Sequence, residues 1–208
     1  MYAIGHRLVV AAMLTALIGG CATLRPSTLP ALPDDYVERQ STLATFDQWR
    51  VRGRVAIRTP DDGFSAALHW QQTGDQLDAR LHGPLGRGTV LLDGDPREIR
   101  VRHGDGTVDV LTAPEQSLRQ RYGWTVPIDH FRFWVLGIGD PAMRGTTEID
   151  AAGRLSALEE GRWRIVYREY QRVGDAELPK KLVATSDDVR VTIVLKEWEI
   201  PLVDAPTD

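Results

Sequence analysis

Histidines, carboxylates, serines and one glycine-rich turn are the parts of this 208-residue chain whose types could perform chemistry, and their spacing argues against each in turn. His69, His82, His103 and His130 lie beyond the N-terminal apolar run, and none stands at metal-ligand spacing to another. The alternation around His69 puts it on the outward face of a strand. Acidic pairs at 61–62, 159–160 and 187–188 fall at turns or strand ends. Solvated loop charges are the expected reading there, with a general acid–base pair as the alternative. Ser65, Ser117, Ser156 and Ser186 lack the strand–turn–helix context of a nucleophile elbow. Gly137-Ile-Gly139-Asp-Pro-Ala142 matches G-x-G-x-x-A, but a dinucleotide site needs a strand before it and a long helix after it. Here a helical segment precedes and a strand follows, so a turn is expected. The chain is therefore not read as an enzyme: no catalytic residue, no metal and no cofactor are expected. An envelope hydrolase with an unrecognised site is the least favoured alternative.

Cys21 remains, the single cysteine of the chain, so neither a disulfide nor a thiol metal cluster can form. It follows a short basic start at Arg7, an apolar run over 8–18, and Gly19-Gly20. The run is too short to span a bilayer and has the shape of a secretory signal. Ile18-Gly-Gly-Cys21 resembles the bacterial lipobox, with Gly19 the less usual member. That resemblance implies a diacylglyceryl thioether on Cys21, cleavage before it and acylation of the new amine. Three acyl chains, at about 0.8 kcal/mol per buried CH₂, anchor durably where one is marginal. Ala22 stands where an Asp would mark inner-membrane retention, which favours the outer membrane.

These signals divide the chain into a signal peptide over 1–20, an acylated cysteine with a tether over 21–33, a folded domain over 34–200 and a tail over 201–208. The tether carries Pro26, Pro30 and Pro33 among small polar residues, the composition of an extended linker. Taking 20 residues from 208 leaves 188, and losing Arg7 leaves 24 basic against 29 acidic side chains. That length suits one domain with a sizeable core. A mildly acidic chain without a basic block argues against nucleic acid as a partner.

The elements follow from periodicity. A helix is expected over 34–49, capped by Asp34 or Asp35, with Tyr36, Leu43 and Phe46 apolar. The period then changes to two. Trp49, Val51, Gly53, Val55 and Ile57 share one strand face, and Arg50, Arg52 and Arg54 the other. Those arginines are either solvated or set to meet an acidic surface. Phe64, Ala66, Leu68 and Trp70 repeat the pattern, as do Leu77, Ala79 and Leu81. Further strands are expected at 89–92, 98–102, 107–111, 145–150, 154–160, 162–170, 180–186 and 189–199, with helical spacing over 114–121 and 127–136. Eleven closely spaced strands and few helices predict a mainly β fold: a curved antiparallel sheet, an unclosed barrel, with helices over its open side. Six tryptophans either fill its core or line an apolar cavity. Candidates for the cavity wall are Trp49, Val51, Val55, Phe64, Leu68, Trp70, Leu81, Trp134, Trp163 and Ile165.

The runs W-RVRGRVAI from Trp49, LHWQQTGDQ from Leu68, RLHGPLGRG from Arg80 and HFRFWVLGI from His130, in this order behind a lipobox, resemble the LolB family of outer-membrane lipoprotein receptors. The resemblance spans about 46–198. It implies an unclosed barrel with a helical lid over a hydrophobic cavity, similar to the soluble carrier LolA. It implies acylated lipoproteins as cargo, a LolA-like periplasmic carrier as partner, and delivery to the inner leaflet of the outer membrane without nucleotide hydrolysis. A lipid-anchored monomer facing the periplasm of a Gram-negative bacterium is expected. A structural or assembly lipoprotein that docks a protein partner is the alternative. The resemblance also speaks to Pro84-Leu85-Gly86, where a leucine sits among turn residues. In LolB-like proteins the leucine of this loop protrudes and serves membrane insertion, a role that here falls to Leu85.

Overall fold

The computed structural model describes residues 34–84, 88–122 and 125–200. Helix α1 (Asp34–Ala44) leads into eleven strands broken once by two helices. First come β1 (Gln48–Arg58), β2 (Gly63–Thr73), β3 (Gln76–His82), β4 (Thr89–Asp95), β5 (Glu98–His103) and β6 (Val108–Thr112). Helices α2 (Pro114–Tyr122) and α3 (Ile128–Trp134) follow. The chain ends on β7 (Gly145–Ile149), β8 (Leu155–Glu160), β9 (Trp163–Val173), β10 (Ala176–Thr185) and β11 (Arg190–Glu199).

All strands join one sheet in the order β6-β5-β4-β3-β2-β1-β11-β10-β9-β8-β7, and every pair is antiparallel. Two meanders, β1–β6 and β7–β11, are thus joined through β1 and β11. Strands β6 and β7 are the edges, so the sheet does not close on itself. The two middle helices connect one edge to the other. None of the described helices is long and apolar enough to cross a membrane.

Local chemistry explains two departures from the expected boundaries. Helix α1 stops at Ala44 rather than running to 49, because the amides of Thr45 and Phe46 bond back only three residues, to Thr42 and Leu43. Trp49 instead pairs with Gln72 in β1, where its parity buries the indole. Strand β10 begins at Ala176 and passes through Pro179, whereas the sequence reading begins it at 180. Proline cannot donate to the ladder, and the register with β9 shifts just after it.

Gly53 has a steric reason. The β1–β11 register slips between Arg52 and Gly53, and a Cβ at Gly53 would stand 2.1 Å from the Val194 carbonyl oxygen. Only glycine permits that approach. On the outer face Arg50 and Arg52 pair with Glu199 and Glu197 of β11 at 3.6 and 3.4 Å. All four side chains are more than half exposed, so each pair contributes at most about 1 kcal/mol. Arg54 is exposed and has no ion pair among the described residues.

The inner face of the sheet is predominantly apolar, and two different things lie over it. Over β8–β11 it is packed solid: Leu155, Leu158, Ile165, Leu178, Leu182 and Leu195 are each at most 1 % exposed. Tyr36 of α1 and Trp134 of α3 belong to the same buried cluster. Over β1–β6 there is a cavity.

Candidate functional site

Strand registers set the cavity wall in rows. Phe64, Ile57 and Val191 face one another across β2, β1 and β11. Leu68, Leu81, Val90 and His103 form the next complete row across β2–β5. Trp70, Ala79, Leu92, Val101 and Asp109 form another across β2–β6. Leu118 of α2, Ile128 and Phe131 of α3, and Val126 between the helices complete the lining. The cavity, open to solvent on one side, has a volume of about 430 Å³. An apolar cavity of roughly 150 Å³ holds a benzene ring, so by proportion this one has room for an aliphatic chain of roughly seventeen carbons. The Trp70 indole N–H donates to Gln72 Oε1 at 3.0 Å, and the Gln72 amide donates on to the Gly74 carbonyl at 2.9 Å. With its polar atom satisfied in this way, the indole adds apolar surface to the wall.

Of the ten wall candidates, the structure brings five together here: Val55, Phe64, Leu68, Trp70 and Leu81. The other five lie outside the lining. Trp49 and Val51 are buried further along β1, where Trp49 packs edge-on against Trp70 and Trp198 with centroids 4.8 and 5.4 Å apart. Trp134, Trp163 and Ile165 belong to the packed half. Trp134 stands 4.8 Å from Phe131 and 6.0 Å from Trp163. The physical reason is that strand parity identifies the inner face but not what covers it. Phe131 is shared, lining the cavity and packing edge-on against Trp134 and Trp163 of the packed half.

Sequence reasoning missed the cavity roles of Leu77, Leu92, Val101, Leu111, Val191 and Ile193. Leu77 already showed inward parity, whereas Val191 and Ile193 reach the cavity only because β11 pairs with β1. That pairing leaves no local trace in the sequence.

Pro84 is exposed, and the Gly83 amide donates to the Gly88 carbonyl at 3.2 Å, joining the two ends of its loop. Gly88 takes φ +73°, a conformation glycine supplies without strain. Leu85, Gly86 and Cys21 lie outside the described residues.

Groups capable of titration are held in structural roles. Glu160 is buried and accepts from Trp134 Nε1 at 2.7 Å and from the Asp140 amide at 2.9 Å. Burial pushes its carboxyl above the ordinary range, against those two bonds. The Tyr167 hydroxyl donates to the Trp134 carbonyl at 3.1 Å, and burial raises it well above the usual tyrosine value. His130 Nδ1 lies 2.6 Å from Asp140 Oδ2. Folding also brings His130 near Asp129 and Glu115, with ligand-capable atoms within 4.8 Å, a grouping invisible to spacing because Glu115 comes from another helix. Burial and then the Asp129 charge raise the Glu115 carboxyl. None of these three residues faces the cavity. Gly137-Ile-Gly139 follows α3 as a turn, with Gly137 at φ +80°.

Comparison with known proteins agrees with this architecture. The family model described as outer membrane lipoprotein LolB matches residues 47–198. The protein named outer-membrane lipoprotein LolB in Stutzerimonas stutzeri is 34 % identical over 194 residues, covering 91 % of this chain and 94 % of that one. Its namesake in Pseudomonas paraeruginosa is 34 % identical over 197 residues, covering 93 % and 96 %. Among solved structures, a LolA superfamily protein from Nitrosomonas europaea superposes with a TM-score of 0.52 at 12 % identity, covering 85 % of this chain and 96 % of that one, a likeness of fold. A match over most of the domain, carried by relatives of nearly equal length, places the chain in the LolB family.

Proposed function

We propose that this protein accepts acylated lipoproteins from a LolA-like periplasmic carrier and inserts them into the inner leaflet of the outer membrane, holding acyl chains in the cavity. The observation that carries the reading is the apolar space of about 430 Å³ left unfilled on one half of an otherwise packed sheet. Exposing an acyl chain to water costs about 0.8 kcal/mol per CH₂. Passage between two bilayers therefore needs a dry compartment at each step, and direction follows from successively better burial. Such transfer needs neither nucleophile nor metal nor nucleotide. The names of the relatives support an outer-membrane location; in this reading the chain is anchored there through lipid on Cys21 and faces the periplasm as a monomer.

Leu85 has a separate role in this proposal. Burying one leucine yields about 1.5–3 kcal/mol, too little to hold a protein on a bilayer. The lipid on Cys21 does that, and Leu85 touches the adjacent leaflet while the loaded cavity faces it.

A reconstituted transfer assay tests both parts. A loaded carrier, this protein and liposomes are mixed, and the location of the lipoprotein is followed. Wild-type protein moves cargo to the liposomes, and Leu85→Glu accepts cargo but delivers it poorly. A stable protein partner with no acyl binding would instead favour the docking role and overturn the proposal. Equal loss of acceptance and delivery in Leu85→Glu would remove the role given to that leucine.

A further inference from the structure

Polar side chains enter the cavity wall at one end only. They are Thr59, Asp62, His103 and Asp109, and the rest of the lining is aliphatic, aromatic or glycine. Thr59 and Asp62 belong to the β1–β2 turn. His103 is the last residue of β5, and Asp109 is the second of β6, just past the next turn at the same end of the sheet. The cavity is therefore directional, with a polar rim at these turns and an apolar interior.

The four rim residues are not equally available. Thr59 and Asp62 are occupied in closing their own turn: the Thr59 hydroxyl donates to the Asp62 carbonyl at 3.2 Å and accepts from the Asp62 amide at 3.1 Å. The Asp62 carboxylate accepts from the Gly63 amide at 2.6 Å. His103 is different. Its Nε2 lies 2.9 Å from Asp109 Oδ2, while the other Asp109 oxygen pairs with Arg121 of α2. Hydrogen bonds from His103 and Arg121 hold the Asp109 carboxyl below the usual aspartate range, so it is ionised at neutral pH. A carboxylate cannot donate, so the proton of that bond is on Nε2. In the neutral ring Nδ1 is then an acceptor, and it has no hydrogen-bond partner among the described residues. The imidazole is thus oriented by Asp109 and, as the neutral ring, offers one acceptor at the rim of an apolar cavity.

An acylated lipoprotein N-terminus matches that arrangement. Its acyl tails are apolar, and its head carries an amide N–H together with ester carbonyls. We propose that His103, held in place by Asp109, forms a head subsite at the cavity rim. His103 Nδ1 accepts the amide N–H of the N-acylated cysteine while the tails enter the apolar interior. The inference rests on the acyl-carrying role proposed above and adds to it the recognition of the head. Cargo so bound enters tails first, with its peptide emerging at the turns.

The test compares two probes on the full mature protein by tryptophan fluorescence: a synthetic lipopeptide with an N-acyl-S-diacylglyceryl cysteine, and an aliphatic hydrocarbon probe with no polar head. His103→Leu weakens lipopeptide binding about five- to tenfold, the loss of about one hydrogen bond, and leaves the hydrocarbon probe unchanged. His103→Gln, which keeps an acceptor, recovers most of the lipopeptide affinity. Equal weakening of both probes would overturn the subsite, because His103 would then only shape the wall. Unchanged lipopeptide binding in His103→Leu would also overturn it. Binding of neither probe by the wild-type protein would instead remove the acyl-carrying reading, and the subsite with it.

Discussion

The two halves of this sheet share one pattern and differ in what stands on it. Strands β1–β6 and β7–β11 both alternate apolar and polar side chains, and both turn the apolar set inward. Over the second meander Trp134 of α3 lies on the inner face, packed against Trp163 and hydrogen-bonded to Tyr167 and Glu160. Over the first, aliphatic side chains and Ala79 end short of anything opposite, leaving about 430 Å³. An apolar-in, polar-out pattern thus specifies a face, whereas the size and placement of the covering residues decide between core and cavity.

Large-to-small substitutions give the widest separation between the halves. Trp134→Ala removes a fully buried indole and is expected to cost about 3–5 kcal/mol in urea unfolding. Leu92→Ala, in the cavity wall, is expected to cost less than about 2 kcal/mol, below the range for packed leucines. Equal costs would mean that the first half is an ordinary core. A smaller contrast comes from one substitution made twice. Ala184 sits between Val191 and Ile165 in the packed half, so Ala184→Phe should cost about 1–3 kcal/mol from overpacking. Ala79→Phe extends into the cavity and should cost under about 1 kcal/mol. It should also lower the affinity for a fluorescent acyl probe at least tenfold, and unchanged affinity would place the acyl site elsewhere.

The smallest effect, and the one with opposite signs, concerns acid. Glu160 in the packed half titrates above the ordinary range. Its contribution to stability is therefore complete below its unfolded value, near pH 4, and is lost as pH rises through its folded one. Asp109 at the cavity rim titrates below the ordinary range, so its contribution is present above about pH 4 and is lost as pH falls through its folded value. Carboxyl-carbon NMR titration should place the two midpoints on opposite sides of the ordinary carboxyl range. Displacement in the same direction would break the contrast.

Much of the fold is legible in the chain itself, because period-two runs and Gly/Asp turns are local signals. All eleven strands and both middle helices lie near their expected positions. Local reading errs where a distant contact decides. Trp49 leaves the helical run for β1, and β10 runs through Pro179 with an unpaired residue on β10 and then one on β9 just after it. The cavity was half legible for the same reason. Val55, Phe64, Leu68, Trp70 and Leu81 follow from parity in adjacent hairpins, whereas excluding Trp134 and Trp163 requires knowing that α3 packs against β9. The W-x-x-x-G-R spacing at Trp49, Gly53 and Arg54 becomes physical only once Val194 is seen against Gly53.

The strand order also carries a kinetic consequence. Every pairing except one joins neighbours along the chain, and hairpins and meanders of that kind form quickly because little loop entropy is lost. The exception is β1 with β11, which brings Ile57 to Val191 across the whole domain. During synthesis β1 is among the first strands made and β11 is the last, so the first meander waits with an open edge at β1 until the final strand emerges. Val191 and Ile193 arrive with that strand, so the cavity wall is complete only when this one long-range pairing has closed. The slowest contact to form is the one that turns two independent meanders into a container.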